Sequence, residues 1–229
     1  AVGVDAANTD ILIAPSMFGL PVELPLLRNY QVIEDLAQAL GAAVDGKRIG
    51  LRGEIGICSF YATKLMTTGG QGGAVISSDR ALIDAVRDYR QFDCRMDRNL
   101  RFNFQMTDLQ AAVGRVQLER LPDLLARREA LFDIYRAAGL DLLDSKVLGH
   151  QPVRFRAVLK CRSPEWVIDT LAQQGVRAIV PVEQWELLDD GEIYPVATAL
   201  ADCTVSLPLY PTLTHEDVLR IASILKERV

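Results

Sequence analysis

The amino-acid sequence predicts an α/β chain: part of a mostly parallel sheet, followed by a smaller α+β domain. Three observations carry that expectation. Short apolar runs at 11–14, 32–35, 55–60 and 74–77 are interleaved or followed by helical patterns, as in layered α/β folds. The two runs around 60–73 are almost continuously apolar, which suits a sheet covered on both faces. Beyond residue 150 the pattern changes, and VRFRAVLKC at 153–161 alternates cleanly as a half-buried strand does.

Composition bounds the function. At 229 residues, 49% hydrophobic and 24% charged, the chain has an ordinary globular balance and enough length for a sizeable core. A net charge of −5 argues against nucleic acid or an anionic membrane as partner. Cys58, Cys94, Cys161 and Cys203 are scattered, without a C-x-x-C pair. With no signal-peptide pattern and no bilayer-length apolar run, they read as reduced thiols in a cytoplasmic protein. His150 and His215 are the only histidines, so histidine-based metal or triad chemistry has little to work with.

In chain order, DILIAPSMFG reads as a buried strand, 11–14, and a turn. VIED at 32–35 is a strand running into the turn of a helix. Two strands then flank the lysine turn, and 79–91 is helical, with Leu82, Val86 and Tyr89 at turn spacing. The arginine-rich stretch 92–106 reads as a loop. Thr107 and Gln110 have capping-box spacing and open a helix whose apolar face is Leu109, Ala112, Val113 and Val116. Pro122 begins a second helix, ending near Gly139. A domain boundary is placed here, giving domains 1–122 and 123–229. A helix opened by Ser163-Pro164-Glu165, a strand VRAIVPV, an apolar stretch CTVSLPLYP and a terminal helix capped by Thr214 complete the chain.

The chemistry concentrates in GEIGICSFYATKLMTTGGQGG at 53–73. A lysine, Lys64, is delivered just past a buried strand, with hydroxyls at Ser59, Tyr61, Thr63, Thr67 and Thr68 around it. A desolvated lysine loses its proton easily and can attack a carbonyl to form a Schiff base; a strand-end lysine can also simply snorkel into solvent. The glycine cluster is no nucleotide P-loop, since no Gly-Lys-Ser/Thr follows. Upstream, Asp35 sits at the carboxyl end of a strand, where open α/β sheets place ligands, and Gln38 follows one helical turn on. Asp35 can equally cap the next helix; a ribose-binding role lacks its G-x-G-x-x-G.

VIEDLAQALGA and SFYATKLMTTGGQGG together resemble the DegT/DnrJ/StrS family of pyridoxal-phosphate-dependent (nucleotide-)sugar aminotransferases. The match continues through NFQMTDLQAAVGRVQLERL and SLPLYPTLTHEDV in the same order, over nearly the whole chain. The resemblance implies a fold-type I architecture, here a partial large domain and a small C-terminal one, and pyridoxal 5'-phosphate as cofactor. Lys64 is then the Schiff-base residue and Asp35 the partner of the pyridine nitrogen. Gln38 touches the ring oxygen, Ser59 the phosphate, and Asn103 the phosphate in the partner subunit's site. It implies a homodimer, an amino donor such as glutamate, and a keto-sugar, possibly nucleotide-linked, as substrates. No metal is called for.

The chain also departs from the family pattern. Ser16 and Phe18 stand where the family has histidine and tyrosine, Gln105 where it often has arginine, and 181–185 lacks the family's substrate-side histidine or tyrosine. Family members carry over a hundred residues before this point, including the helix that holds the cofactor phosphate. The chain alone is therefore expected to bind the cofactor weakly or not at all. The alternative reading is a truncated or non-catalytic relative, a pseudoenzyme or partner subunit that keeps the dimer surface.

Overall fold

A computed structural model describes residues 11–24, 30–188 and 193–226. They fall into two compact units, one drawn from Thr9–Asp123 and Lys146–Val153, the other from Leu124–Ser145 and Arg154–Val229. The expected boundary assigns Lys146–Val153 to the C-terminal domain, whereas it packs with the first unit.

The first unit is built on a four-stranded sheet. β1 (Ile11–Pro15), β2 (Gln31–Asp35) and β5 (Ile55–Ser59) run parallel, and β6 (Gly73–Ile76) closes the order β1-β2-β5-β6 antiparallel to β5. Ala14 and Val32 pack with Leu24 in one small core. The expectation of a buried first strand holds for only one of its faces. Ala14 is buried, but Ile11 and Ile13 are exposed, Ile13 by 64%.

The helix expected after β2 is a turn. Ala39 N–H bonds Leu36 C=O and Ala42 N–H bonds Ala39 C=O, both three residues back, and Gly41 takes a φ of 95°. The chain then forms a hairpin, β3 (Ala43–Val44) and β4 (Lys47–Arg48), with Asp45 and Gly46 at φ 50° and 74°. Two positive φ values are what a type I′ turn requires, and Asp-Gly supplies them. β7 (His150–Gln151) pairs with β3.

Helix α1 spans Arg80–Arg90, with Asp79 capping Ala81 N–H. Helix α2 runs unbroken over Asp108–Ala137, with Pro122 inside it rather than opening a second helix. The capping box is formed: Thr107 N–H donates to Gln110 Oε1 (3.0 Å), and Gln110 N–H donates to Thr107 Oγ1 (3.3 Å). The apolar face named for the helix's first half is exposed at Leu109, Val113 and Val116.

In the second unit the rest of α2 contributes Leu131, Phe132 and Tyr135 to a core. Against them pack β8 (Ala157–Lys160) and β9 (Thr204–Leu207), an antiparallel pair, with helices α3 (Pro164–Gln173) and α5 (His215–Lys226). Ser163 caps α3 and Thr214 caps α5 through their hydroxyls. Two expected strands shrink. Of 153–161 only β8 pairs regularly, and 176–182 is reduced to one bridge, Ile179 to Ser206. Helix α4 (Pro195–Asp202) is an element the sequence reading did not name.

Candidate active site

Because β1, β2 and β5 are parallel, their carboxyl ends lie on one edge of the sheet. Asp35 ends β2 and Ser59 ends β5, its neighbour, with Asp35 in register with Ile57. Asp35 is half-buried; its Oδ1 accepts from Ala37 N–H at 2.8 Å, which aims the carboxylate along the turn that follows. Gln38 lies in that turn, and its Oε1 accepts from Phe18 N–H at 2.8 Å. Phe18 has a φ of 58°, uncommon for a non-glycine residue, so the turn after β1 is held in a costly conformation beside Gln38. Ser59 Oγ accepts from Tyr61 N–H at 3.4 Å.

Lys64 is half-buried in a turn that leaves the same sheet edge. Its N–H bonds Tyr61 C=O, and four bonds close the turn: Phe60 N–H to Gly72 C=O, Ala62 N–H to Gly70 C=O, Thr68 N–H to Phe60 C=O, and Gly69 N–H to Thr67 Oγ1. Thr68, 2% exposed, fills the turn and donates its hydroxyl to Gln71 C=O at 2.8 Å. Gly69 and Gly70 take φ values of 85° and 156° with open space where a Cβ would stand.

Cys58 reports on the local field. Burial, and after it the Asp35 carboxylate, push its thiol up to about 11. Asp35 is in register with Ile57, the residue before Cys58, and a negative charge near a thiol disfavours the thiolate.

Asn103 stands apart from these residues in the sequence and is exposed on the 92–106 loop. Most of the loop is exposed, but two of its arginines are held by carboxylates. Arg101 forks onto Asp88 (3.0 Å) and Asp97 (2.5 Å) with its side chain 6% exposed, and Arg95 pairs with Asp88. Phe102 stacks on Phe104 and tilts against Tyr89 of α1.

Glu34 is a residue whose importance the sequence reading missed. Buried to 1% exposure, it accepts from the N–H groups of Gly50, Arg52 and Gly53 and pairs with the Arg52 guanidinium at 2.9 Å. One carboxylate thereby ties the 50–53 segment to the strand that ends in Asp35. An acid one residue before the candidate site, on the opposite strand face, was the available signal.

Asp35 and Ser59 end neighbouring strands, Gln38 follows Asp35, and the turn that carries Lys64 leaves β5 at the same end. A carboxylate, an amide, a hydroxyl and an amine are groups of the kind that would hold a charged heteroaromatic cofactor. Among the described residues no cluster suits a metal ion, and no helix is long and apolar enough to cross a membrane.

Known proteins agree with the fold. The chain is 28% identical to a UDP-N-acetyl-3-dehydro-alpha-D-glucosamine 3-aminotransferase of Acidithiobacillus ferrooxidans, over 98% of this chain and 66% of that protein. It is likewise 28% identical to a GDP-perosamine synthase of Escherichia coli O157:H7, over 96% of this chain and 66% of the relative. The crystal structure of S. venezuelae DesV in complex with a ketimine intermediate superposes with a TM-score of 0.87 at 26% identity, covering 96% of this chain and 65% of that one. The chain thus spans just under two thirds of the length of these relatives. A family model matches residues 8–226, and the chain belongs to the DegT/DnrJ/EryC1/StrS aminotransferase family.

Proposed function

We propose that this chain carries the lysine-bearing part of a pyridoxal-phosphate-dependent aminotransferase, which moves an amino group from a donor such as glutamate to a nucleotide-linked keto-sugar. The observation that carries the reading is the convergence of Asp35, Gln38, Ser59 and the Lys64 turn on one edge of the sheet. Pyridoxal phosphate, when bound, supplies the electron sink for carbanion chemistry; the protein's share is binding, orientation and charge.

Each residue has a task in that division. Asp35, fixed by Ala37 N–H, keeps a proton on the ring nitrogen through its negative charge. With Oε1 of Gln38 engaged by Phe18, the amide nitrogen is the end of Gln38 that can donate to the ring oxygen. Ser59 accepts through Oγ and keeps its hydroxyl proton for the phosphate. Lys64 would supply the amine that holds the cofactor and, once released from it, would carry the proton to and from the donor's α-carbon.

A homodimer is part of the same proposal. Leu109, Val113 and Val116 follow one another at i, i+4 and i+7 on an exposed stripe of α2, and the adjoining loop exposes Phe92, Met96, Leu100 and Phe104. A second copy burying this surface would set Asn103 toward the partner's phosphate. The four cysteines, none in a disulfide, support a reducing, cytoplasmic setting.

The test is amino transfer by the enzyme containing this chain, measured from glutamate to a nucleotide-linked keto-sugar. Lys64→Ala abolishes turnover, and Asp35→Asn binds cofactor yet loses roughly 10²-fold or more in kcat, the scale of a lost transition-state charge. Turnover that survives Lys64→Ala sinks the proposal. Cofactor bound at Lys64 with no amino transfer to any sugar favours the non-catalytic alternative.

A further inference from the structure

Gln110 does two things at once. Its Oε1 accepts from Thr107 N–H, which fixes the orientation of the amide, and its Nε2 donates to Gln71 C=O at 3.0 Å. Gln71 C=O also accepts the Thr68 hydroxyl at 2.8 Å. One carbonyl in the lysine turn is therefore gripped from inside by Thr68 and from outside by the first turn of α2. The fit is close: a Cβ on Gly114 of α2 would stand 2.8 Å from Thr68 Cγ2, and one on Gly72 would overlap Thr68 Oγ1.

We propose that Gln110 and Thr68 are positioning residues for Lys64, acting through their shared acceptor Gln71 to hold the turn that presents the amine. The inference rests on the reading of Lys64 as the Schiff-base residue. It also gives the capping box of α2 a purpose beyond starting a helix. The acceptor end of Gln110 serves the helix, and the donor end serves the site. The 92–106 loop leads directly into this first turn.

The two ends of Gln110 can be separated. In Gln110→Glu the carboxylate still accepts from Thr107 N–H, and a negative charge suits a helix N-terminus, so α2 is kept. The donor is lost, and an oxygen faces the Gln71 carbonyl. Thr68→Val keeps the shape against Gly114 and removes the other bond. Hydrogen exchange on the 229-residue chain reads the result without cofactor. In both variants the 60–72 amides exchange several-fold to roughly tenfold faster, the scale of one hydrogen bond lost from a local opening, while 108–123 is unchanged. Because either bond partly stands in for the other at the shared acceptor, the double variant gains more than the product of the two. Borohydride trapping of pyridoxal phosphate at Lys64 falls several-fold in Gln110→Glu relative to the other lysines. Exchange in 60–72 that stays at the parental rate, or that speeds equally in 108–123, overturns the tether; trapping at the parental rate overturns the positioning role. A parent chain with no preference for Lys64 sinks the underlying reading instead, and the exchange data still decide whether Gln110 holds the turn.

Discussion

Glu34 and Asp35 are adjacent carboxylates that strand alternation sends to opposite faces of β2. Asp35 ends the strand at the proposed cofactor edge, and Glu34 is sealed beneath it with Arg52 and three backbone N–H groups. Removing one partner of a buried pair strands the other, so Glu34→Ala should cost roughly 3 kcal/mol in urea unfolding. A loss below about 1 kcal/mol would mean the pair is not the clamp described. Asp35 has its own test in Cys58, whose thiol is held up at about 11 by burial and then by Asp35. Asp35→Asn should lower that value, raise the thiolate fraction and speed alkylation of Cys58 at pH 9, with exposed Cys94 as the unchanged control. Equal rates in the two proteins would place the Asp35 charge elsewhere. The linkage has a definite sign. Cys58 stays protonated in the folded chain above its ordinary value of 9.0, so its contribution to stability is complete below pH 9 and is lost as pH rises towards 11.

Elements were legible where local signals stood alone and misread where two signals competed. The caps of α2, α3 and α5 were visible as Thr107 with Gln110, Ser163-Pro164 and Thr214, and all three are formed. Leu36–Leu40 has good helix formers, but Gly41 and the Asp45-Gly46 turn leave about one turn's length, too little to repay helix nucleation. Pro122 read as a helix start because proline favours the first helical turn. Yet 118–121 is Leu-Glu-Arg-Leu, which offers neither a glycine C-cap nor a polar N-cap, so breaking the helix would orphan more groups than the one bond proline removes. Pro122 is exposed in an otherwise continuous helix. Pro122→Ala should therefore stabilise the chain by about 1–3 kcal/mol, read as a higher urea midpoint. A lower midpoint would show that proline is needed at that position. The site itself was legible as residue types at strand ends. The grip of Thr68 and Gln110 on Gln71 was not, because it joins residues nearly forty apart through a single carbonyl.

At the scale of the whole molecule, the exposed stripe of α2 and the apolar loop before it are what a single copy leaves uncovered. A large exposed apolar patch favours association. Light scattering should give a dimer, and Leu109→Glu with Val113→Glu should give a monomer whose fold, by circular dichroism, is unchanged. A parent chain that is monomeric at working concentration contradicts the proposed dimer. The central claim is narrower and concerns one amine. The chain has five lysines, and Lys47, Lys146, Lys160 and Lys226 are internal controls for Lys64. The protein is incubated with pyridoxal phosphate, reduced with borohydride, digested and mapped by mass spectrometry. The account predicts the phosphopyridoxyl label on Lys64 ahead of the other four, even where binding is weak. Label spread evenly over the lysines, or concentrated on another with Lys64 unmodified, contradicts it.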